Sequence, residues 1–192
     1  MEKSLKPQKI NTSDYFTIPN ILCYIRIILI PVFMFVYLNA TTTKDYYIAA
    51  FIILFSGITD FCDGYIARKF NQVTELGKFL DPLADKLTQG AIILTLMFKI
   101  KWMNYLVGLF IVKELFMAVN GAILLTKKRR KLDGAKWFGK VSTAVLYASM
   151  FILIIFPSLN PIKTNLTIGI TAFFMLLSFL LYIPVFIKMY KD

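Results

Sequence analysis

The chain has 192 residues, of which 58% are apolar and only 17% are charged, and its mean hydropathy is +0.66. Soluble domains are usually about 45–50% apolar and about 25% charged, so this composition excludes a soluble enzyme, a disordered chain and a secreted disulfide scaffold. The net charge of +11 suits an anionic membrane surface or a nucleic acid. Nothing in the sequence resembles a nucleic-acid-reading module, so we expect no nucleic-acid partner.

Six apolar runs predict membrane-spanning helices, because a bilayer requires about 20 apolar residues per helix. No strand-like alternation appears, so the sequence predicts an all-α integral membrane protein. A polar juxtamembrane arm at residues 1–16 precedes a six-helix domain at residues 17–192. In chain order the apolar runs cover residues 18–38, 46–70, 79–98, 103–125, 137–156 and 165–187.

The basic residues predict the orientation of these helices, since cytoplasmic loops are enriched in Lys and Arg. With the N-terminus inside, most of the 22 basic residues fall in cytoplasmic segments. Both termini are therefore expected in the cytoplasm. The cytoplasmic set is Lys3, Lys6, Lys9, Arg68, Lys69, Lys78, residues 127–131, Lys136, Lys188 and Lys191, and the opposite set is Lys44, Lys99, Lys101 and Lys163.

The residue types that are missing limit the chemistry. The chain has no histidine, which excludes a Ser-His-Asp triad and a His-ligated zinc site. Cys23 and Cys62 form no disulfide framework and are interpreted as reduced thiols.

Four of the 11 acids are expected at the cytoplasmic ends of two apolar helices. Asp60 and Asp63 are spaced i, i+3, and Asp81 and Asp85 are spaced i, i+4, so each pair shares one helix face. The short loop between the helices predicts an antiparallel hairpin on which four carboxylates converge. Hard divalent cations such as Mg²⁺, Mn²⁺ or Ca²⁺ would neutralise them, and two such cations suit displacement at phosphorus.

Small residues accompany the acids. Gly64 and Ala67 continue the face of the first acid pair, and Gly77 lies one turn before the second pair. Arg68 follows at the membrane edge, where it can bind a phosphate. The alternative is a set of interfacial carboxylates that pair with nearby basic side chains.

This pattern resembles the signature of the CDP-alcohol phosphotransferases, with eight fixed positions over 26 residues: Asp60-x-x-Asp63-Gly64-x-x-Ala67-Arg68, eight residues, then Gly77-x-x-x-Asp81-x-x-x-Asp85. Ile18-Pro19-Asn20 with Arg26 and Pro31 resembles the first helix of the phosphatidylglycerophosphate synthase and cardiolipin synthase branches.

The resemblance implies that an alcohol attacks the β-phosphate of CDP-diacylglycerol and releases CMP at the cytoplasmic face. It implies two divalent cations, Mg²⁺ or Mn²⁺ with Ca²⁺ possible, and a homodimer. The implied metal ligands are Asp60, Asp63, Asp81 and Asp85, with Asp85 also the general base. The implied CDP-binding residues are Asp60, Gly64, Ala67, Arg68 and Gly77.

The acceptor alcohol is the open question. Glycerol 3-phosphate leads, and its phosphate would bind basic residues, for which the candidates are Arg26, Lys113, Lys136 and Lys140. Ser142 stands where the synthase branch usually has a second Lys, which favours a cardiolipin synthase that uses phosphatidylglycerol. Lys113 replaces an Arg and Cys23 a hydroxyl residue of the family pattern, and Glu114 is expected to neutralise a basic residue on another helix.

A divalent-cation transporter is the alternative from another functional class. Transport predicts acids near the bilayer midplane and repeated halves. This chain has its acids at one edge and no internal repeat, so the enzyme is favoured.

Overall fold

The computed structural model describes residues 16–70, 72–128 and 136–191. These ranges hold six α-helices and no strand, which confirms the predicted all-α class for them. Of the predicted arm at residues 1–16 only Phe16 is described, and residues 129–131 of the basic cluster also lie outside the described ranges. The helices are α1 Ile18–Leu38, α2 Thr43–Lys69, α3 Glu75–Met97, α4 Met103–Lys128, α5 Trp137–Ile155 and α6 Pro161–Lys191.

Five of the helices in the described ranges are long and apolar enough to cross a membrane: α1, α2, α4, α5 and α6. The helix outside this group is α3. Its first half carries Asp81, Asp85 and Lys86, which interrupt the apolar run that a span requires.

Local capping explains where α2 begins. The Thr42 side chain accepts from the Asp45 backbone N–H, and the Asp45 carboxylate accepts from the Thr42 backbone N–H at 2.8 Å. This capping box starts the helix at Thr43, before the predicted residue 46. Likewise α6 begins at Pro161, because the fixed φ of proline suits a first helical position.

The chain divides into two compact units, the first ending at Ala91 and the second beginning at Ile92. In the first unit, α1 packs along α2. The Tyr37 and Tyr46 rings meet edge to face, with centroids 5.5 Å apart, beside the short connection between the two helices. At the other end of this pair lie buried Asn20, Cys23 and Arg26 of α1, spaced three residues apart on one helix face.

In the second unit, α6 packs against both α4 and α5. Buried Leu124, Tyr182 and Phe186 form the centre of an aromatic-rich cluster. Gly139 of α5 permits close approach of Tyr182, because an added Cβ there would collide with the Tyr182 hydroxyl.

Candidate active site

The candidate site lies in the first unit, where the acid pairs of α2 and α3 and the buried face of α1 come together. Electrostatic interactions link Asp60 with Asp81 and Asp85, and Asp63 with Asp60 and Asp81. These four acids therefore lie in one region of the first unit. Among the described residues, however, no three acid, Cys or His side chains are placed closely enough to hold one metal ion.

Arg26 of α1 is the partner of the first acid pair. Its Nη1 lies 2.5 Å from Asp60 Oδ1, and its Nη2 donates a short hydrogen bond to Asp63 Oδ2. The Arg26 and Asp63 side chains are buried, 2% and 5% exposed, whereas Asp60 is 53% exposed. One guanidinium thus bridges two carboxylates, with one partner buried and the other open to the surroundings.

Asp81 lies beside the same face of α1. One of its carboxylate oxygens hydrogen-bonds with the buried Cys23 thiol. Its Oδ1 is buried and accepts no hydrogen bond from any described residue. A buried carboxylate oxygen without a donor is costly, so this atom is suited to a cation or to a ligand that donates a proton.

Asp85 has a different environment on α3. Gln89, one turn later and buried, donates from Nε2 to Asp85 Oδ2 at 2.8 Å. Lys86 Nζ in turn donates to Gln89 Oε1 at 3.4 Å. Gln89 was not among the residues expected at the site, although its i, i+4 spacing from Asp85 places it on the same helix face.

The two signature glycines have different surroundings. The three atoms nearest to an added Cβ at Gly64 would all belong to the flexible Arg68 guanidinium, with Nη1 at 3.4 Å. An added Cβ at Gly77 would lie 2.8 Å from Asn20 Oδ1 and 3.1 Å from Thr74 Oγ1. The small size of Gly77 is therefore required by packing inside the protein, whereas that of Gly64 is not.

Asn20 and Thr74 join α1 to the start of α3. Asn20 Nδ2 donates to Thr74 Oγ1 at 3.2 Å, and the same oxygen accepts from the Gly77 backbone N–H at 2.9 Å. The second contact is the N-cap arrangement that starts a helix. Asn20 is part of the first-helix pattern that resembles the family. Its contact with Thr74 could not be predicted, because the two residues are 54 positions apart in the sequence.

The remaining acceptor candidates lie in the second unit. Lys113 is buried and donates to Glu114 Oε1 at 3.0 Å. Glu114 was expected to neutralise a basic residue on another helix, and the structure pairs it with the adjacent Lys113, because long side chains can fold toward each other. Lys136 lies directly before α5, and Lys140 is exposed in the first turn.

Residues 16–187 match the family described as CDP-alcohol phosphatidyltransferase.

The chain belongs to this family.

Three similar proteins carry the name CDP-diacylglycerol--glycerol-3-phosphate 3-phosphatidyltransferase, from Escherichia coli K12, Escherichia coli O157:H7 and Shigella flexneri serotype 5b. Each is 32% identical over 130 residues, which are 67% of this chain and 71% of the relative. The predicted family is confirmed, and the protein is a phosphatidyltransferase enzyme of phospholipid biosynthesis in the membrane. The family implies CDP-diacylglycerol and an alcohol as substrates.

Enzymes of this family generally depend on a divalent metal. The donor chemistry here fits a hard cation, because Asp60, Asp63, Asp81 and Asp85 offer only oxygen ligands. The buried Asp81 Oδ1 without a donor fits it as well. In the structure as described, the positive charge beside Asp60 and Asp63 is supplied by Arg26.

Proposed function

We propose that this protein is a phosphatidylglycerophosphate synthase, which transfers the phosphatidyl group of CDP-diacylglycerol to glycerol 3-phosphate and releases CMP. The main observation in support of this reaction is that all four signature acids lie in one compact unit, around the buried face of α1. The acceptor is supported by relatives named for glycerol 3-phosphate that match 67% of the chain.

In this proposal Asp60, Asp63, Asp81 and Asp85 would hold two divalent cations, Mg²⁺ or Mn²⁺ or alternatively Ca²⁺. Such cations neutralise the pyrophosphate and stabilise the departing CMP. Asp85 takes the proton of the acceptor hydroxyl as a new O–P bond forms at the β-phosphate and the bond to CMP breaks. The Gln89 amide supports this role because it fixes one Asp85 oxygen at 2.8 Å.

The CDP part of the donor is proposed to bind along the last turns of α2. Asp60, Gly64, Ala67 and Arg68 share that part of the helix, and Gly77 begins the facing segment of α3. Gly64 supports the assignment, because the atoms nearest to an added Cβ there belong to the flexible Arg68 guanidinium, which can move to contact a ligand. The Arg68 guanidinium beside it is a suitable phosphate partner.

For the acceptor phosphate the proposed partners are Arg26, Lys113, Lys136 and Lys140. A CMP-forming cardiolipin synthase is the second candidate. It is favoured by Ser142, which is small and buried at the place where a second basic residue would serve a phosphate monoester.

We further propose six spans with both termini in the cytoplasm, an active site at the cytoplasmic face and a homodimer. The juxtamembrane arm at residues 1–16 and the six-helix domain at 17–192 belong to the same proposal. The basic residues at the ends of α2 and α6 support the orientation, and the dimer rests on the family alone.

An acceptor panel tests the function. Purified protein in detergent is given CDP-diacylglycerol with glycerol 3-phosphate, phosphatidylglycerol, inositol phosphate or serine, and CMP release is measured. We expect turnover with glycerol 3-phosphate. Turnover with phosphatidylglycerol alone would favour cardiolipin synthase instead, and no CMP release with any acceptor would contradict the transferase site.

A further inference from the structure

Arg26, proposed above as one partner of the acceptor phosphate, already bridges two of the proposed metal ligands in the structure. Its side chain is 2% exposed, in a helix apolar enough to span a membrane. A buried guanidinium in such a place is costly unless carboxylates pair with it. Asp60 and Asp63 supply that pairing from α2.

The same two carboxylates are proposed metal ligands. A guanidinium and a divalent cation repel each other strongly at contact distances in a poorly screened interior. The Asp63 oxygen that accepts the hydrogen bond from Arg26, and the Asp60 oxygen that forms an ion pair with it, also have less capacity to bind a metal. The Arg26 guanidinium and a divalent cation therefore cannot both bind the carboxylates of Asp60 and Asp63 fully at the same time.

We propose that Arg26 is a positioning residue that competes with the divalent cation for Asp60 and Asp63 and thereby lowers the metal affinity of the site. This inference rests on the proposed metal ligands. Binding of a cation requires the guanidinium to release at least one carboxylate. Asp60 is the partner that releases first, because it is 53% exposed while Asp63 is 5% exposed.

Binding of Mn²⁺ to the purified full-length protein tests this proposal. The protein is stripped with a chelator and dialysed, and the dissociation constant for Mn²⁺ is measured calorimetrically in wild type and Arg26→Met. We expect the constant to fall at least about fivefold in the variant, the low end of the usual range for coupled binding groups.

Thermal unfolding separates competition from a purely structural role. Without Mn²⁺, Arg26→Met should unfold at a lower temperature, because two carboxylates lose their counter-charge. Saturating Mn²⁺ should recover most of that loss, so the Mn²⁺-induced shift in Tm becomes larger than in wild type. An equal loss with and without Mn²⁺, or an unchanged or higher dissociation constant, would overturn the proposal.

Two further variants complete the design. Arg26→Lys has a compact ammonium that lacks the forked donors needed to bridge two carboxylates, so it should bind Mn²⁺ with an affinity between wild type and Arg26→Met. If Arg26→Met does not fold, tighter Mn²⁺ binding by Arg26→Lys supports the proposal and equal binding overturns it.

Lys69→Met is the control variant. It removes an exposed positive charge that lies over the Tyr65 ring and should leave Mn²⁺ affinity unchanged.

These Mn²⁺ measurements also separate the proposed metal site from the proposed competition by Arg26. Failure of the wild type to bind Mn²⁺ at all would contradict the metal assignment and this inference with it. Equal Mn²⁺ affinity in wild type and the Arg26 variants would contradict this inference alone and leave the transferase proposal standing.

Discussion

At the scale of single residues, the four signature acids are not equivalent. Asp60 and Asp63 share the Arg26 guanidinium, Asp81 lies against Cys23, and Asp85 is oriented by Gln89. The Gln89 amide fixes the position of one Asp85 oxygen, which would serve the proposed role of this carboxylate as the general base.

Replacement of Asp85 by Asn tests its role as the base. Asn keeps the size of the side chain but cannot take up the proton, so CMP release should fall at least about a hundredfold. Initial rates of CMP release with CDP-diacylglycerol and glycerol 3-phosphate measure the effect. Asp45→Asn is the matched control, because Asp45 is an exposed acid of the same unit used in helix capping, and its rates should match wild type. Full activity in Asp85→Asn would refute the assignment.

The two signature glycines make a contrasting pair. Gly64→Ala should raise the KM for CDP-diacylglycerol with little change in Tm, because only the mobile Arg68 side chain must yield. Gly77→Ala should instead lower the free energy of unfolding by about 1–3 kcal/mol, the usual range for overpacking, because its Cβ would lie 2.8 Å from buried Asn20. Steady-state kinetics and unfolding curves on both variants check the contrast, and identical effects at the two sites would contradict it.

The sequence alone predicted those features of the candidate site that depend on residues close together in the chain. The i, i+3 and i, i+4 acid pairs were visible from their positions alone. The Arg26 bridge and the Asn20–Thr74 contact join positions 34 to 54 residues apart in sequence, so no periodicity could reveal them. Such partners are fixed only when α1 packs against α2 and the start of α3.

At the scale of elements, α1 is more than an apolar span. Its hydrophobic run predicted the helix, and residues 18–38 are confirmed as helical. Its buried face nonetheless carries Asn20, Cys23 and Arg26, all three turned toward polar groups of α2 or α3. Polar side chains on an apolar helix cost free energy in lipid unless partner helices cover them. This cost explains why the polar face of α1 packs against α2 and the start of α3 at the candidate site.

The start of α3 depends on the Thr74 hydroxyl. Thr74→Val keeps the shape but removes the acceptor for the Gly77 N–H, and it also removes the partner of Asn20. We expect a loss of about 1 kcal/mol in the free energy of unfolding, typical of a lost N-cap. Thr74→Ser keeps the oxygen and should unfold close to wild type. Equal destabilisation by Val and Ser, measured by denaturant unfolding in detergent, would contradict the capping role.

At the scale of the whole molecule, the apolar composition predicted a helical membrane protein, and the described residues agree. The starts of α2 and α6 differ from the predicted residues 46 and 165, because residues outside the apolar runs begin these helices at Thr43 and Pro161. Composition could not settle whether α3 spans the membrane, because the acids that carry the chemistry also interrupt its apolar run.

The proposed orientation makes a prediction for reporter fusions. Alkaline phosphatase requires disulfides that form only outside the cytoplasm. Fused after the last residue it should therefore be inactive, whereas fused in the α5–α6 connection, after Leu159, it should be active. The opposite pattern, measured on whole cells of a bacterial host, would place the termini outside and contradict the proposed cytoplasmic site.

The proposed reaction is a divalent-cation-dependent transfer of the phosphatidyl group to glycerol 3-phosphate. The most direct measurement follows phosphatidylglycerophosphate formed from CDP-diacylglycerol and glycerol 3-phosphate by the purified protein, before chelation, after chelation and after Mn²⁺ is restored. We predict that the product appears, is lost on chelation and returns with Mn²⁺. Product formation that persists in excess chelator, or no product under any of the three conditions, would contradict the account.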